Sequence, residues 1–444
     1  MSDGQRSSPG TERWRFEADR WDTCWPTVRD GTVYVGSTDG TVYAVDAADG
    51  SARWRFETQG HFATTPVVAG ETVYVGHRSG GLYAIDTKHG TERWRFDGGK
   101  RPIVADATVY TGGRTDGCLY ALDAATGDER WRFETDGYVQ RSVRTADGTV
   151  YVGSHDGSLY ALNATSGIER WGFETGDLIR SPPVVAESTI YVKSGDGNLY
   201  AVDANDGTEK WRFAVGVGDA PSAVTGSTAY VGGGDGTVYA VDARDGIEQW
   251  RFETEGEFRF SPVVVDSTVY VASSDGTVYA VDANSGTERW RFAVGGEIQT
   301  APTVADSSLF VGGHGGIVCA VDANDGTEEW RFEASAGDWS VATLTDSTVF
   351  FGNYNGNVYA VARTETGRSG AIEVRDRSDR TGDVEPAEMQ AGSCESCGAD
   401  LPASGESEFC PSCGVHRTCR NCGMNFAERG LDDPAYCPEC GAEQ

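Results

Sequence analysis

Residues Gly31–Glu57 read GTVYVGSTDGTVYAVDAADGSARWRFE, and versions of this stretch recur along most of the chain. Each version ends in a tryptophan followed two residues later by an aromatic: Trp14, Trp54, Trp94, Trp131, Trp171, Trp211, Trp250, Trp290 and Trp330. Successive tryptophans are 40 residues apart, except for single steps of 37 and 39. A period of roughly 40 with several short strands per unit is the signature of a propeller blade. The expected fold class is therefore all-β, a closed β-propeller of four-stranded blades.

Within a unit the strands are readable. In the second, Pro66–Ala69, Thr72–Gly76, Leu82–Asp86 and Glu92–Phe96 are predicted as strands A to D. An Asp-Gly pair usually separates B from C, as at Asp39-Gly40, Asp156-Gly157 and Asp275-Gly276. That pair suits a tight hairpin whose two central residues both need positive φ. Strand C, TVYAVD, is apolar on both faces, so both faces must be covered, and a blade wedged between two others meets that need. The ends are complementary. Thr11–Glu17 carries the tryptophan strand without the strands that precede it elsewhere, and Ser340–Val361 supplies three strands and stops before any tryptophan. Joining the first strand to the last sheet closes the ring and leaves no exposed edge. The count is nine blades, with eight plus one displaced unit as the other reading. The third unit, Lys100–Phe133, is the least regular, short before strand A and carrying Arg114 near its B–C turn.

The run Ala44-x-Asp46-x-x-x-Gly50-x-x-x-Trp54 returns in the units of Trp94, Trp131, Trp211, Trp250, Trp290 and Trp330, with Asn163 replacing the aspartate in the fourth. This resembles the tryptophan-docking motif of pyrroloquinoline-quinone-like (PQQ-like) propeller repeats, from Thr11 to about Ala362. The resemblance implies that each indole packs on the adjacent blade between the motif's alanine and glycine. The last copy, from Ala360, loses the motif because its tryptophan sits at the other terminus. Quinone dehydrogenases of the related family carry an adjacent cysteine pair near their cofactor. This chain has no Cys-Cys pair and no haem-attachment C-x-x-C-H, so the resemblance carries over the fold, and PQQ is not expected. The motif aspartates occur in almost every copy and read as turn residues, not ligands.

The whole chain is strongly acidic, with net charge −31 over 444 residues and only four lysines, Lys88, Lys100, Lys193 and Lys210. Such a surface repels nucleic acid and anionic lipid. Spread along the chain, it suits a salt-rich, halophilic cytosol in which screening relieves the self-repulsion. No apolar run is long enough for a transmembrane helix, and the polar start MSDGQRSSPG does not read as a signal peptide. The expectation is a cytoplasmic protein without membrane insertion.

Residues 1–10 read as disordered, 11–362 as the propeller, 363–393 as a flexible polar linker and 394–444 as a separate module. That module holds four C-x-x-C pairs: Cys394/Cys397, Cys410/Cys413, Cys419/Cys422 and Cys437/Cys440. Two thiolates across two residues chelate one tetrahedral metal, and a second pair completes the site. A glycine follows each pair, where the backbone must turn. The module resembles a double zinc ribbon, implying two zinc ions whose binding supplies much of its folding energy. Its three arginines face nine acidic side chains, which favours a protein over nucleic acid. Cys24, Cys118 and Cys319 are isolated and read as small buried hydrophobes.

The copies diverge most in the D-to-A connections, which share one face of a propeller. These supply Trp21, His61, Tyr138, Arg141, Arg180, Phe258, Arg259 and Trp339, and aromatics with arginine are typical interface anchors. The histidines show no metal or triad spacing. The expected function is a non-enzymatic protein-interaction scaffold with a zinc-binding tail. The alternatives are a quinone-dependent oxidoreductase and a small-ligand sensor.

Overall fold

The computed structural model describes residues 8–363, apart from 19–25, 59–61, 63, 78–80, 114–115, 140–142, 219, 335–342 and 354–355. In the first complete blade, β2 (Thr27–Arg29), β3 (Thr32–Gly36), β4 (Thr41–Asp46) and β5 (Ala52–Glu57) pair antiparallel in sequence order. Their β-branched and aromatic residues favour a pleated sheet. There are nine such four-stranded sheets, and no helix occurs among the described residues. None of those residues forms a helix long and apolar enough to cross a membrane.

Two turns divide the hairpin chemistry differently from the sequence expectation. The two-residue turn with both φ angles positive lies between A and B, at Asp30 (48°) and Gly31 (67°). In the B–C turn only the glycine is positive, Gly40 at 90°. Asp39 acts there through its carboxylate, accepting from Thr41 N at 2.6 Å and from the Tyr43 hydroxyl at 3.0 Å. The aspartate is thus selected as a hydrogen-bond acceptor, not for a left-handed backbone.

Strand C meets the sequence expectation, with Val42, Ala44 and Val45 fully buried. Each cluster of core residues spans two neighbouring blades. One joins Tyr191, Leu199 and Trp211 of blade 5 (residues 184–214) to Val224, Val231 and Tyr239 of blade 6 (residues 223–253). Burial of this kind, at about 25 cal/mol per Å2 of apolar surface, couples every blade to the next.

The tryptophans make that coupling specific. Trp14 lies flat on Gly50, whose φ is +76°, and a Cβ there would stand 2.7 Å from the indole. The indole N–H donates to Ala47 O at 3.1 Å. Seven more, Trp54 through Trp290, repeat this donation to the carbonyl one residue past the motif aspartate. In several blades the same carbonyl also accepts the strand-B tyrosine, as Ala243 O does from Tyr191 at 3.0 Å. A register shift between strands C and D follows each tryptophan's alanine partner. In five blades it sets the preceding arginine or lysine beside the motif aspartate. Arg130 and Asp123 meet this way at 2.8 Å, and the guanidinium holds that carboxyl down to about 2.

Ring closure occurs as expected, and it reaches further back than the tryptophan strand. β1 (Glu12–Glu17) pairs with Asn357–Ala362. Gly10 N donates to Ala362 O at 2.9 Å, as Gly50 N does to Asp46 O. Gly10, φ +75°, lies under the Trp330 ring. The motif that the last copy lacks is therefore rebuilt from the opposite terminus, with Gly10 in the place of Gly50. One bond is missing at this seam: the buried Trp330 N–H has no acceptor among the described residues. In register its acceptor would be the carbonyl of Arg363. That residue instead anchors its side chain on the preceding blade, 2.5 Å from Asp306 and over the Phe310 ring.

Candidate interaction face

Because the four strands of a blade alternate in direction, the B–C turns and D–A connections emerge on one face. Each connection is tied to the turn beneath it. Thr58 N donates to Gly40 O at 2.8 Å and Phe62 N to Ser37 O at 3.3 Å. In five connections the eighth residue after the tryptophan then points inward between blades: Phe62, Val139, Ile179, Phe258 and Ile298 are all buried. They fill space over the ends of strand B, as Phe62 does over Gly36.

This register corrects one expected surface residue. Phe258 is 3% exposed and packs with Tyr230, Val238 and Val269, so it is a core wedge and offers a partner nothing. Of the other expected anchors, Tyr138 is 48% exposed, its ring 5.9 Å from that of His155. Arg180 is exposed. Arg259 is exposed and pairs with Glu297 of the next connection at 2.6 Å. Trp21, His61, Arg141 and Trp339 lie outside the described residues, as do all eight tail cysteines. The described residues on this face are spread around the ring, one connection each, and form no cluster.

Two features of this face were missed by reading residue types alone. Lys193 is 3% exposed, at the end of strand B where Gly36, Gly76, Gly112, Gly153 and Gly232 stand in other units. Its ammonium donates to Gly232 O across the blade boundary at 2.5 Å. The signal was in the repeat, TIYVK against TVYVG. The second is the short third unit. Its strand A starts early, at Lys100 opposite Gly112. Thr111 takes the place of the usual valine and donates to Lys100 O at 2.9 Å. Arg101 is held at φ +54°, and a Cβ at Gly76 would stand 3.0 Å from its backbone nitrogen. A cavity of about 180 Å3 opens beside it, lined by Thr65, Val67, Arg101, Pro102, Ile103 and Val143 among others.

Elsewhere the chemistry is sparse. Among the described residues no group of three or more histidine, cysteine or acidic side chains is arranged to hold a metal. Cys118 and Cys319 are free and buried. Burial pushes the Cys319 thiol up to about 12, which removes it as a nucleophile near neutral pH. On the outer rim Trp54 is less covered than the other described tryptophans, because Ala52 stands where the other units carry glutamate. A notch of about 280 Å3 results, lined by Phe16, Tyr43, Trp54 and Arg55 among others.

A family model of PQQ-like repeats, described as outer membrane protein assembly factor BamB, matches residues 6–115, 115–235 and 234–390. No curated protein matches the sequence. Among solved structures, BamB from Moraxella catarrhalis is similar over 79% of this chain and 99% of its own, at 18% identity and a TM-score of 0.55. The quinohemoprotein alcohol dehydrogenase of Comamonas testosteroni is similar over 81% and 78%, at 16% identity and a TM-score of 0.54. The computationally designed Ika8 protein is similar over 67% and 95%, at 16% identity and a TM-score of 0.53. At these identities the likeness is one of fold.

Proposed function

The chain belongs to the PQQ-like repeat family described as outer membrane protein assembly factor BamB, and from that premise we propose a non-enzymatic scaffold that binds a protein partner on the D–A face. One observation carries the reading. The units agree wherever blade packing demands it, while their D–A connections place unrepeated side chains such as Tyr138, Arg180 and Arg259 in solvent on one face. Aromatics and arginines of this kind supply most of the energy of protein contacts. Fold alone would not choose this function, because propellers host many.

The test is a triple variant, Tyr138→Ala, Arg180→Glu and Arg259→Glu, used as bait in a high-salt lysate beside the parent. With an unchanged melt, it should recover the parent's partner at least about 10-fold less well, a loss of roughly 1.4 kcal/mol. Equal recovery by a folded variant removes this face from consideration. The likeness to quinohemoprotein dehydrogenases sets the rival outcome. Electron-acceptor reduction after reconstitution with quinone and calcium would make the protein an oxidoreductase.

The tail belongs to the same proposal. Residues 394–444 form a double zinc ribbon in a reducing cytoplasm, with Cys394, Cys397, Cys410 and Cys413 on one ion and Cys419, Cys422, Cys437 and Cys440 on the other. The support is the spacing of the four pairs and the tetrahedral demand of zinc for four thiolates. Elemental analysis of protein purified without chelator should give two zinc ions per chain, and one after Cys410→Ser with Cys413→Ser. One ion or none in the parent would overturn the assignment.

A further inference from the structure

We infer that the outer rim of blade 4 (residues 143–174), where Gly172 leaves Glu169 and the Tyr160 ring without an arginine, is a docking site for an arginine on an extended segment of a protein partner. This site lies apart from the D–A face and does not depend on it.

The other blades show what fits there. The residue after the tryptophan is arginine in eight of the nine units, and the residue two before it is glutamate in eight. In six units the two form an ion pair, as Arg291 and Glu288 do at 2.7 Å and Arg132 and Glu129 at 2.8 Å. In four of these the guanidinium also lies over the strand-C tyrosine opposite it. Arg251 is 5.4 Å from the Tyr239 ring, Arg291 5.6 Å from Tyr279, Arg15 5.8 Å from Tyr359 and Arg212 5.9 Å from Tyr200. All four tyrosines are buried.

Blade 4 reads ERWGFE instead, and Gly172 is the residue opposite Tyr160. A Cβ at Gly172 would stand 3.3 Å from Glu169 Oε1 and 3.6 Å from the Tyr160 ring, so carboxylate and ring converge on the place that the arginine vacates. Tyr160 is partly exposed there. Its ring is fixed from the other side by Phe133 of blade 3 at 5.1 Å, and its hydroxyl donates to Asp156 at 3.0 Å. Glu169 is exposed and has no ion pair among the described residues. The backbone does not ask for this glycine, because Gly172 has no positive φ, and glycine inside a strand weakens it. Two members of a three-part contact are kept, and the third is missing.

The chemistry of the two that remain selects the occupant. A planar guanidinium stacks on an aromatic face and binds a carboxylate through a fork of N–H groups, which a lysine ammonium cannot reproduce. Strand D, Glu169–Glu174, is the outermost strand of its sheet, and extended segments add to such edges through their main chain. Glycine at the centre of that edge lets a second backbone come close. On a chain of net charge −31, a segment carrying arginine is also the one that the surface attracts.

The experiment pans displayed random heptapeptides against the full-length parent and against Gly172→Arg. Molar KCl screens general attraction to the acidic surface. Peptides enriched on the parent over the variant should contain arginine, and changing that arginine to lysine should weaken binding at least about 10-fold. Gly172→Arg fills the site from the chain's own backbone, so its melt should equal or exceed the parent's while these peptides are lost. Gly172→Ala leaves the space open and should still bind them. Glu169→Gln should weaken them at least about 10-fold, and it carries the test if Gly172→Arg does not fold. The triple variant of the D–A face should bind them as the parent does, so the two surfaces fail separately. No arginine enrichment, equal binding by Gly172→Arg or Glu169→Gln, or equal binding of the lysine peptide overturns the site. Full displacement by N-acetylarginine amide at the peptide's own concentration overturns it as well, because no segment would then be needed. A parent that self-associates and becomes monomeric on Gly172→Arg gives the site to a second copy, which also overturns it.

Discussion

A chain lacking residues 1–17 is expected to lose most of its folding stability and to associate through the exposed edge of the ninth sheet. β1 closes that sheet against Asn357–Ala362. With it go two blade contacts. Trp14 sits on Gly50 and 5.7 Å from Phe350, and Phe16 sits 5.2 Å from Tyr43 of the first complete blade. Gly10, the floor under Trp330, goes as well. Losing one buried tryptophan costs about 3–5 kcal/mol, and losing a whole strand costs more. Domain stabilities are only about 5–15 kcal/mol, and the uncovered strand Asn357–Ala362 becomes a template for pairing. Urea melts and size-exclusion chromatography read both effects. Rescue makes the test specific. Gly10–Phe16, GTERWRF, is identical to Gly90–Phe96 and Gly286–Phe292. A peptide of this sequence added to the truncated chain should restore much of the stability, and the same peptide with alanine for tryptophan should not. A truncated chain as stable and monomeric as the parent would refute closure by this strand.

Trp211→Ala is expected to cost about 3–5 kcal/mol, the largest effect of a single side chain here. Its ring lies on Gly246 and 5.8 Å from Tyr191. Its N–H is buried and donates to Ala243 O at 3.0 Å, a carbonyl shared with the Tyr191 hydroxyl. Removing the indole leaves a cavity between two blades with a rigid backbone floor, so little can collapse into it. Trp54→Ala, at the rim notch where the ring is already partly solvated, should cost clearly less. Equilibrium urea unfolding of both variants measures the difference. Equal losses, or a loss below about 1 kcal/mol at Trp211, would show that blade contact is not what the tryptophan supplies.

By itself the sequence determined the blade period, most strand positions and the closure by Thr11–Glu17, and it favoured nine blades over eight, a choice the nine sheets decide. Each rests on a pattern that repeats with its nearest neighbours, so a local reading carries global information. The aspartate turns were legible as turns, but their backbone was not. Both positive φ angles fall at Asp30-Gly31, while Asp39 serves through its carboxylate. The interaction face was legible as a place and only partly as residues. Phe258 looked like an anchor by type, and the register eight residues past Trp250 turns it inward. Arg259 is joined to Glu297 by a fold that brings two connections 38 residues apart into contact. What only the tertiary structure decided lies where the repeat breaks: Gly10 under Trp330, Lys193 reaching Gly232 O, and the hollow beside Arg101. At those points a side chain's surroundings come from the adjacent blade, and a blade's own sequence says nothing of what its neighbour presents.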